Sequence, residues 1–385
     1  MVTDIDPKNC GACGDVCPKN RAKCEAGTCV RARCPDGITF TPHVDWIACG
    51  PLSMAIADFD GDGVPDIATA NSSYEREVCE LLSDGKGGVR YLNVLAQGDG
   101  SIGIATGDFN GDGKPDLVAT DSCGLIVFLN DGFRGFGNRI YLGCGSGLDA
   151  TAVAVGDFDR DGTIDIVALQ PGANILLNLG DGTSFSDPVR FPPVNGVLSF
   201  EPASVGVADF DGDGKPDVAL PDPSTNSVVV LLNQGGGVFG APREYGVGAR
   251  PYSLSVADLD ADGRPDLVTA NGGDATVSVL LNQGAPGFSS AAHYETLTHP
   301  GRLSVAVGDL DGDAAPDVVV ANGLDGNVSF LLNEGGGKLG APVGFPVGAG
   351  PSSVGLADFD GDGRLDIVTA NAEAATVSIL LARCK

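Results

Sequence analysis

The sequence is poor in the residues that catalysis and nucleic-acid binding draw on. Its 385 residues include three histidines, one tryptophan, six tyrosines and only 23 lysines and arginines, against 51 aspartates and glutamates. The histidines, His43, His293 and His299, stand in no nucleophile motif such as G-x-S-x-G, so acid–base and nucleophilic chemistry have little to be built from. A formal net charge of −28 argues against nucleic acid or an anionic membrane as partner, because both would be repelled. No apolar run reaches the length of about 18 residues that a transmembrane helix needs. No basic-then-apolar leader opens the chain either. Eleven cysteines, six of them within residues 10–34, nevertheless imply an oxidising compartment. The expectation is a secreted or cell-surface chain whose export signal is missing from this sequence.

What the sequence has in quantity is glycine (58), proline (24) and one recurring loop. Asp358-Phe359-Asp360-Gly361-Asp362-Gly363-Arg364-Leu365-Asp366 has counterparts starting at Asp58, Asp108, Asp157, Asp209, Asp258 and Asp309, at intervals of 49 to 52 residues. So even a period marks a repeat architecture and overrides the two or three domains that length alone would predict.

Four positions of the loop carry oxygen side chains. Position 3 is Asp60, Asn110, Asp159, Asp211, Asp260, Asp311 or Asp360, and position 5 is Asp62, Asp112, Asp161, Asp213, Asp262, Asp313 or Asp362. Position 9 is Asp66, Asp116, Asp165, Asp217, Asp266, Asp317 or Asp366. Carboxylates so close repel unless a cation sits among them, and hard oxygen donors at alternate positions around a glycine turn suit calcium. By analogy with the EF-hand, the position-7 carbonyl of Val64, Lys114, Thr163, Lys215, Arg264, Ala315 or Arg364 is expected to complete each shell. A true EF-hand is excluded, because position 12 would be a bidentate Glu and is Thr69 or Thr369 here, and because strand-like sequence flanks the loops. Plain Asp-Gly turns explain one or two acids per loop, not four at fixed offsets. Seven loops of four positions, less Asn110, hold 27 carboxylates. Up to seven calcium ions would cancel 14 charges, so the acidity reads as metal demand.

Residues 1–36 differ from the rest. Cys10, Cys13, Cys17, Cys24, Cys29 and Cys34 crowd a segment too short to bury a core, which predicts a disulfide-stapled unit, with zinc or iron–sulfur ligation as the alternative. From residue 37 to 385 every period has one internal order. In the fifth, Ser253–Ala257 leads into the loop, Leu267–Asn271 leaves it, Thr276–Leu281 follows a short turn, and about Phe288–Tyr294 closes the unit. Short Val-, Leu- and Thr-rich runs bounded by Gly, Asn and Asp are strands in hairpin succession. Four antiparallel strands repeated seven times predict an all-β, seven-bladed β-propeller. The seventh period ends after three strands, while Gly37-Ile38-Thr39-Phe40-Thr41-Pro42 aligns with Gly237-Val238-Phe239-Gly240-Ala241-Pro242. Residues near 38–46 are therefore expected to complete the last blade, with a Cys34–Cys384 disulfide clasping the ring. Cys49–Cys79 and Cys123–Cys144 fall pairwise within single blades and are further candidate pairs.

The pattern Asp-Phe-Asp-Gly-Asp-Gly-x-Pro-Asp, the Val-rich strand to Ala-Asn, and Val-Ser-Val-Leu-Leu-Asn resemble the FG-GAP or VCBS repeat. Phe239-Gly240-Ala241-Pro242 and Leu339-Gly340-Ala341-Pro342 belong to the same likeness. That family includes the integrin α-subunit head and fungal N-acetylglucosamine-binding lectins, and the resemblance implies calcium sites between the first two strands of each blade. The cysteine-rich start resembles modules of stigma-specific secreted proteins and of bacterial surface proteins, which implies an extracellular spacer. Ala314 departs from the pattern at position 6, where glycine is expected. Arg160 and Ala261 occupy position 4, which supplies no ligand, so no harm is expected there. The loops should crowd one face, leaving the opposite face to Trp46, Tyr74, Arg76, Phe200, Arg250, Tyr252, His299 and Arg302 as candidate ligand contacts. Asn71, Asn271, Asn322 and Asn371, at the end of the second strand, read as turn formers or ligand contacts. The resemblance implies a binding or adhesion module for a glycan, or else for an extracellular protein. A polysaccharide-degrading propeller using His299, Tyr252 and Arg302 is the enzymatic alternative. One Trp and six unevenly spaced Tyr count against many equivalent sugar sites.

Overall fold

The computed structural model describes residues 34, 37–71, 77–97, 102–121, 124–132, 135–143, 150–169, 174–180, 182–187, 189–190, 204–284, 287–297 and 299–385, and the backbone of 23–25 and 28–30. Tyr74, Arg76, Phe200, Cys123, Cys144, Cys10, Cys13 and Cys17 lie outside these residues. Cys24 and Cys29 face each other across a hairpin of Lys23–Glu25 and Thr28–Val30.

The described strands form seven four-stranded antiparallel sheets, six of them simple meanders and the seventh taking its outer strand from the start of the chain. The first sheet runs Pro51–Ala57, Asp66–Asn71, Glu77–Ser83, Val89–Gln97, and the fifth Pro251–Ala257, Asp266–Asn271, Thr276–Leu280, Ala292–Glu295. The first strand of every sheet touches that of the next, and the seventh sheet's first strand, Pro351–Ala357, touches that of the first. The fold is a β-propeller with the first strands innermost. No helix among the described residues is long and apolar enough to cross a membrane.

Second strands such as Asp66–Asn71, Asp266–Asn271 and Asp366–Asn371 are buried along their whole length. Sheets cover them on both faces, which is why they read as unbroken small and β-branched runs rather than alternating ones. The cores lie between neighbouring sheets. Phe210, Val228 and Val230 of the fourth meet Leu254, Leu267 and Leu280 of the fifth. Ile67, Cys79 and Leu81 of the first meet Phe359, Val368 and Ile379 of the seventh. Loop position 2 supplies a plug to each wedge: Phe59, Phe109, Phe158, Phe210, Leu259, Leu310 and Phe359 are all buried.

The ring closes non-covalently and covalently. Val44–Ile47 is the outer strand of the seventh sheet, pairing with Thr376–Leu380. Ile38–Phe40 does not extend that strand. It pairs separately with Ala382–Cys384, as Phe239 bridges Asn233 in the fourth period. The same division holds in the fifth period, where Phe288 bridges Asn282 and the outer strand begins only at Ala292. Disulfides join Cys34 to Cys384 and Cys49 to Cys79.

Candidate metal centres and the opposite face

Each loop is wound around its own carboxylates. In the first, Asp58 Oδ1 accepts the amides of Gly61 (2.8 Å) and Asp62 (3.0 Å), and Oδ2 accepts that of Gly63 (2.7 Å). Asp60 Oδ1 takes the Asp62 amide and Asp62 Oδ1 that of Val64. The position-7 amides of Lys114, Thr163, Lys215, Arg264, Ala315 and Arg364 are held in the same way.

The position-9 aspartates join the loop to the sheet. Asp66 Oδ2 accepts the Phe59 amide at 3.0 Å, and Oδ1 accepts that of Ser83 on the third strand at 2.7 Å. All six others repeat this pair, ending with Asp366 on Phe359 and Ala382. They are almost wholly buried. Burial first, and then the neighbouring loop carboxylates, push the carboxyls of Asp66, Asp317 and Asp366 up to about 7. The same causes raise Asp116, Asp165, Asp217 and Asp266 to about 6.

The donor set fits a hard cation. In the first and fifth loops, positions 1, 3 and 5 place one carboxylate oxygen each within 4.8 Å of one another, and in the third, fourth and sixth, positions 1, 3 and 9 do so. Cationic side chains lean over the same acids: Lys114 Nζ lies 2.9 Å from Asp112, and Arg383 2.7 Å from Asp360 and 3.2 Å from Asp362. Arg90 reaches Asp60 and Asp62, Lys215 reaches Asp213, and Arg264 reaches Asp262. All-oxygen ligation of this kind suits calcium rather than a softer metal. Arg364 sends its side chain elsewhere, into the interior with Nη1 3.3 Å from Cys34 Sγ.

The substituted loops need a correction. Ala314 keeps the position-6 bond to Asp309 Oδ2 at 3.1 Å but does so at φ 70°. Position 4 is also left-handed in every loop, from Gly61 at 76° to Gly361 at 71°. Arg160 (65°) and Ala261 (61°) are therefore strained like Ala314, contrary to the expectation that position 4 tolerates any residue.

On the opposite face, at the starting ends of the first strands, an axial cavity of about 250 Å³ is lined by residues of all seven sheets. It brings Tyr252 and Arg302 together, the guanidinium 5.5 Å from the ring centroid. His299 stands at the surface with Nδ1 2.8 Å from Asp325 Oδ1, and Arg250 is exposed. Trp46 does not belong with them. It lies on the outer strand Val44–Ile47, packed into the wedge between the seventh and first sheets. The asparagines at the ends of the second strands are tied within their own sheets: Asn271 Nδ2 donates to Thr276 Oγ1 and Ser278 Oγ, and Asn371 to Thr376 and Ser378.

Two sets of polar residues were not anticipated. Asn130, Asn178, Asn233, Asn282 and Asn333 each donate to a position-2 carbonyl of the preceding sheet, at 2.7 to 2.9 Å. Serines five residues ahead of the loops tie the innermost strands: Ser204 Oγ accepts the Leu254 amide (2.7 Å), Ser253 that of Val305 (3.3 Å) and Ser304 that of Val354 (3.3 Å). Their constant offset from the first loop aspartate was visible in the sequence; the asparagine ties span about 70 residues and had no local signal.

A family model described as the FG-GAP-like repeat matches residues 58–119, 108–168, 167–220, 209–269, 258–320 and 310–369, all but the third span running from one loop to the next. No curated protein matches the chain. Among solved structures, a lectin of Agrocybe aegerita, studied for specific recognition of non-reducing terminal N-acetylglucosamine, is 22% identical, with a TM-score of 0.52 over 79% of this chain and 80% of that one. BBS1N in complex with ARL6DN is 14% identical, with a TM-score of 0.61 over 89% and 96%. At these identities the likeness shows the fold alone.

Proposed function

Because the chain belongs to the FG-GAP-like repeat family, we propose that it is a calcium-braced binding module, secreted or held at the cell surface, whose ligand is a glycan. The seven sheets are read as seven blades, each holding one ion in its loop. The observation that carries the reading is the split between the two ends of the innermost strands. One end repeats an acidic, oxygen-rich loop seven times, and the other opens into a cavity where Tyr252 and Arg302 meet. A repeated end is a brace, and a cavity of unrepeated residues is a place for a ligand. The fungal lectin supports the glycan class as a fold-mate with that activity. Six cysteines in the first 34 residues and two disulfides in the ring support an oxidising location.

A protein ligand is the second reading, favoured by the BBS1N fold-mate, which is held in a protein complex. Catalysis finds less support. Ser278 Oγ lies 3.0 Å from His293 Nδ1, but the serine is fully buried and already accepts from Gly248 N and Asn271 Nδ2. In the seventh sheet Ser378 meets Asp45 instead, so the contact serves packing. A glycan array probed in calcium and in EGTA tests the proposal: calcium-dependent binding of a defined glycan set supports it, and no binding in calcium refutes it.

A further inference from the structure

The axial cavity is an anomaly of charge. In a chain with 51 acidic residues, no Asp or Glu is among the described residues lining it, and its one charged residue is Arg302. Among the described residues Arg302 has no ion-pair partner; its guanidinium lies over the Tyr252 ring, a contact that uses the face of the group and not its N–H donors. The serines add donors. Ser204, Ser253 and Ser304 all line the cavity, and each oxygen already accepts an amide from the next sheet. A hydroxyl whose oxygen is taken in this way keeps its hydrogen to give. The ring of first strands thus presents several oriented O–H donors and one guanidinium, with no carboxylate to compete.

We infer that the axial cavity binds the carboxylate of an acidic sugar, with Arg302 as its anchor and the serine hydroxyls as further donors. A guanidinium edge matches a carboxylate with two parallel N–H bonds. The volume of about 250 Å³ lies just below the range of roughly 300–1,000 Å³ usual for small-molecule sites, so it admits one terminal sugar residue, not an internal stretch of polymer. The inference rests on the glycan reading above and narrows it to uronate-type ends.

The test is calorimetric titration of the full chain in millimolar calcium with glucuronate, glucose and acetate. Glucuronate is expected to bind once per chain, at least about tenfold more tightly than glucose or acetate. Arg302→Gln should erase that preference without moving the melting temperature, and Arg302→Lys should restore part of it. Equal binding of glucose and glucuronate, acetate binding as tightly as glucuronate, or full glucuronate affinity in Arg302→Gln would each overturn the inference. If neutral glycans bind the array while Arg302→Gln changes nothing, the acidic-ligand inference fails and the glycan reading stands. If no sugar binds, acidic or neutral, both fall.

Discussion

Stability should respond to pH in opposite directions with and without calcium. The perturbation is removal of the ion by EGTA, followed by melting between pH 5 and pH 7.5. In the chelated protein the position-9 carboxyls titrate near 6 to 7 when folded, against an ordinary 3.8. A carboxyl raised on folding binds its proton better in the native state. Its contribution is complete below about pH 4 and is lost as pH rises through 6 to 7, so the chelated protein becomes less stable toward neutrality. A shift of two to three units is nominally about 3–4 kcal/mol per group. Discounting for screening to ~1 kcal/mol per site gives about 7 kcal/mol over seven sites. With an unfolding entropy of about 2 cal/mol/K for each of some 350 residues, that is roughly 10 °C between the two ends of the range. Bound calcium requires the same carboxyls ionised and so reverses the slope, and each site filled to about 100 times its Kd adds about 2.7 kcal/mol. Differential scanning calorimetry in EGTA and in calcium reads both slopes. Slopes of the same sign, or a melting temperature indifferent to EGTA at pH 7.5, would defeat the caged-ion argument.

Three further outcomes follow from particular contacts. Cys384→Ser opens a clasp that spans 350 residues; it should cost about 2–5 kcal/mol, or roughly 3–7 °C, and an unshifted melt would mean that the strand pairing at Val44–Ile47 closes the ring unaided. Ala261→Gly and Ala314→Gly relieve left-handed backbone and should each stabilise by about 0.5–1 kcal/mol, whereas a loss in denaturant midpoint would show the alanines to be relaxed. Asn282→Ala orphans the buried Phe210 carbonyl, which it now meets at 2.9 Å; a cost of about 1–3 kcal/mol is expected, with faster amide exchange between the fourth and fifth sheets, and exchange rates equal to wild type would remove the tie from the account.

The loops could be read because their information is local. Four oxygen side chains within nine residues, returning every 49 to 52 positions, carry their chemistry on their face. Closure was legible for a related reason: Gly37, Ile38 and Pro42 match Gly237, Val238 and Pro242, so the missing element could be found at the other terminus. The strain at Arg160 and Ala261 was not legible, because glycine at position 4 looks like an ordinary turn residue until its φ is known. Trp46 was misplaced because a lone aromatic near a variable connection looks like a binding residue. The outer strand turns it into the wedge between the seventh and first sheets.

Repetition itself separates scaffold from site in this molecule. What recurs in every period, such as the position-2 plug and the position-9 aspartate with its two amides, is needed wherever a sheet meets its neighbour, and no single ligand could call for it seven times. What recurs in five periods, the inter-sheet asparagine, and in three, the axial serine, fastens one sheet to the next. Tyr252 and Arg302 are of another kind. They line the cavity from adjacent sheets, and neither the caging of ions nor the pairing of strands requires an aromatic ring or a guanidinium at those points. Arg302 is exposed, with its guanidinium over the Tyr252 ring, and faces a hydroxyl-lined cavity in a strongly acidic chain. It is in such departures from the repeat that a ligand should be sought.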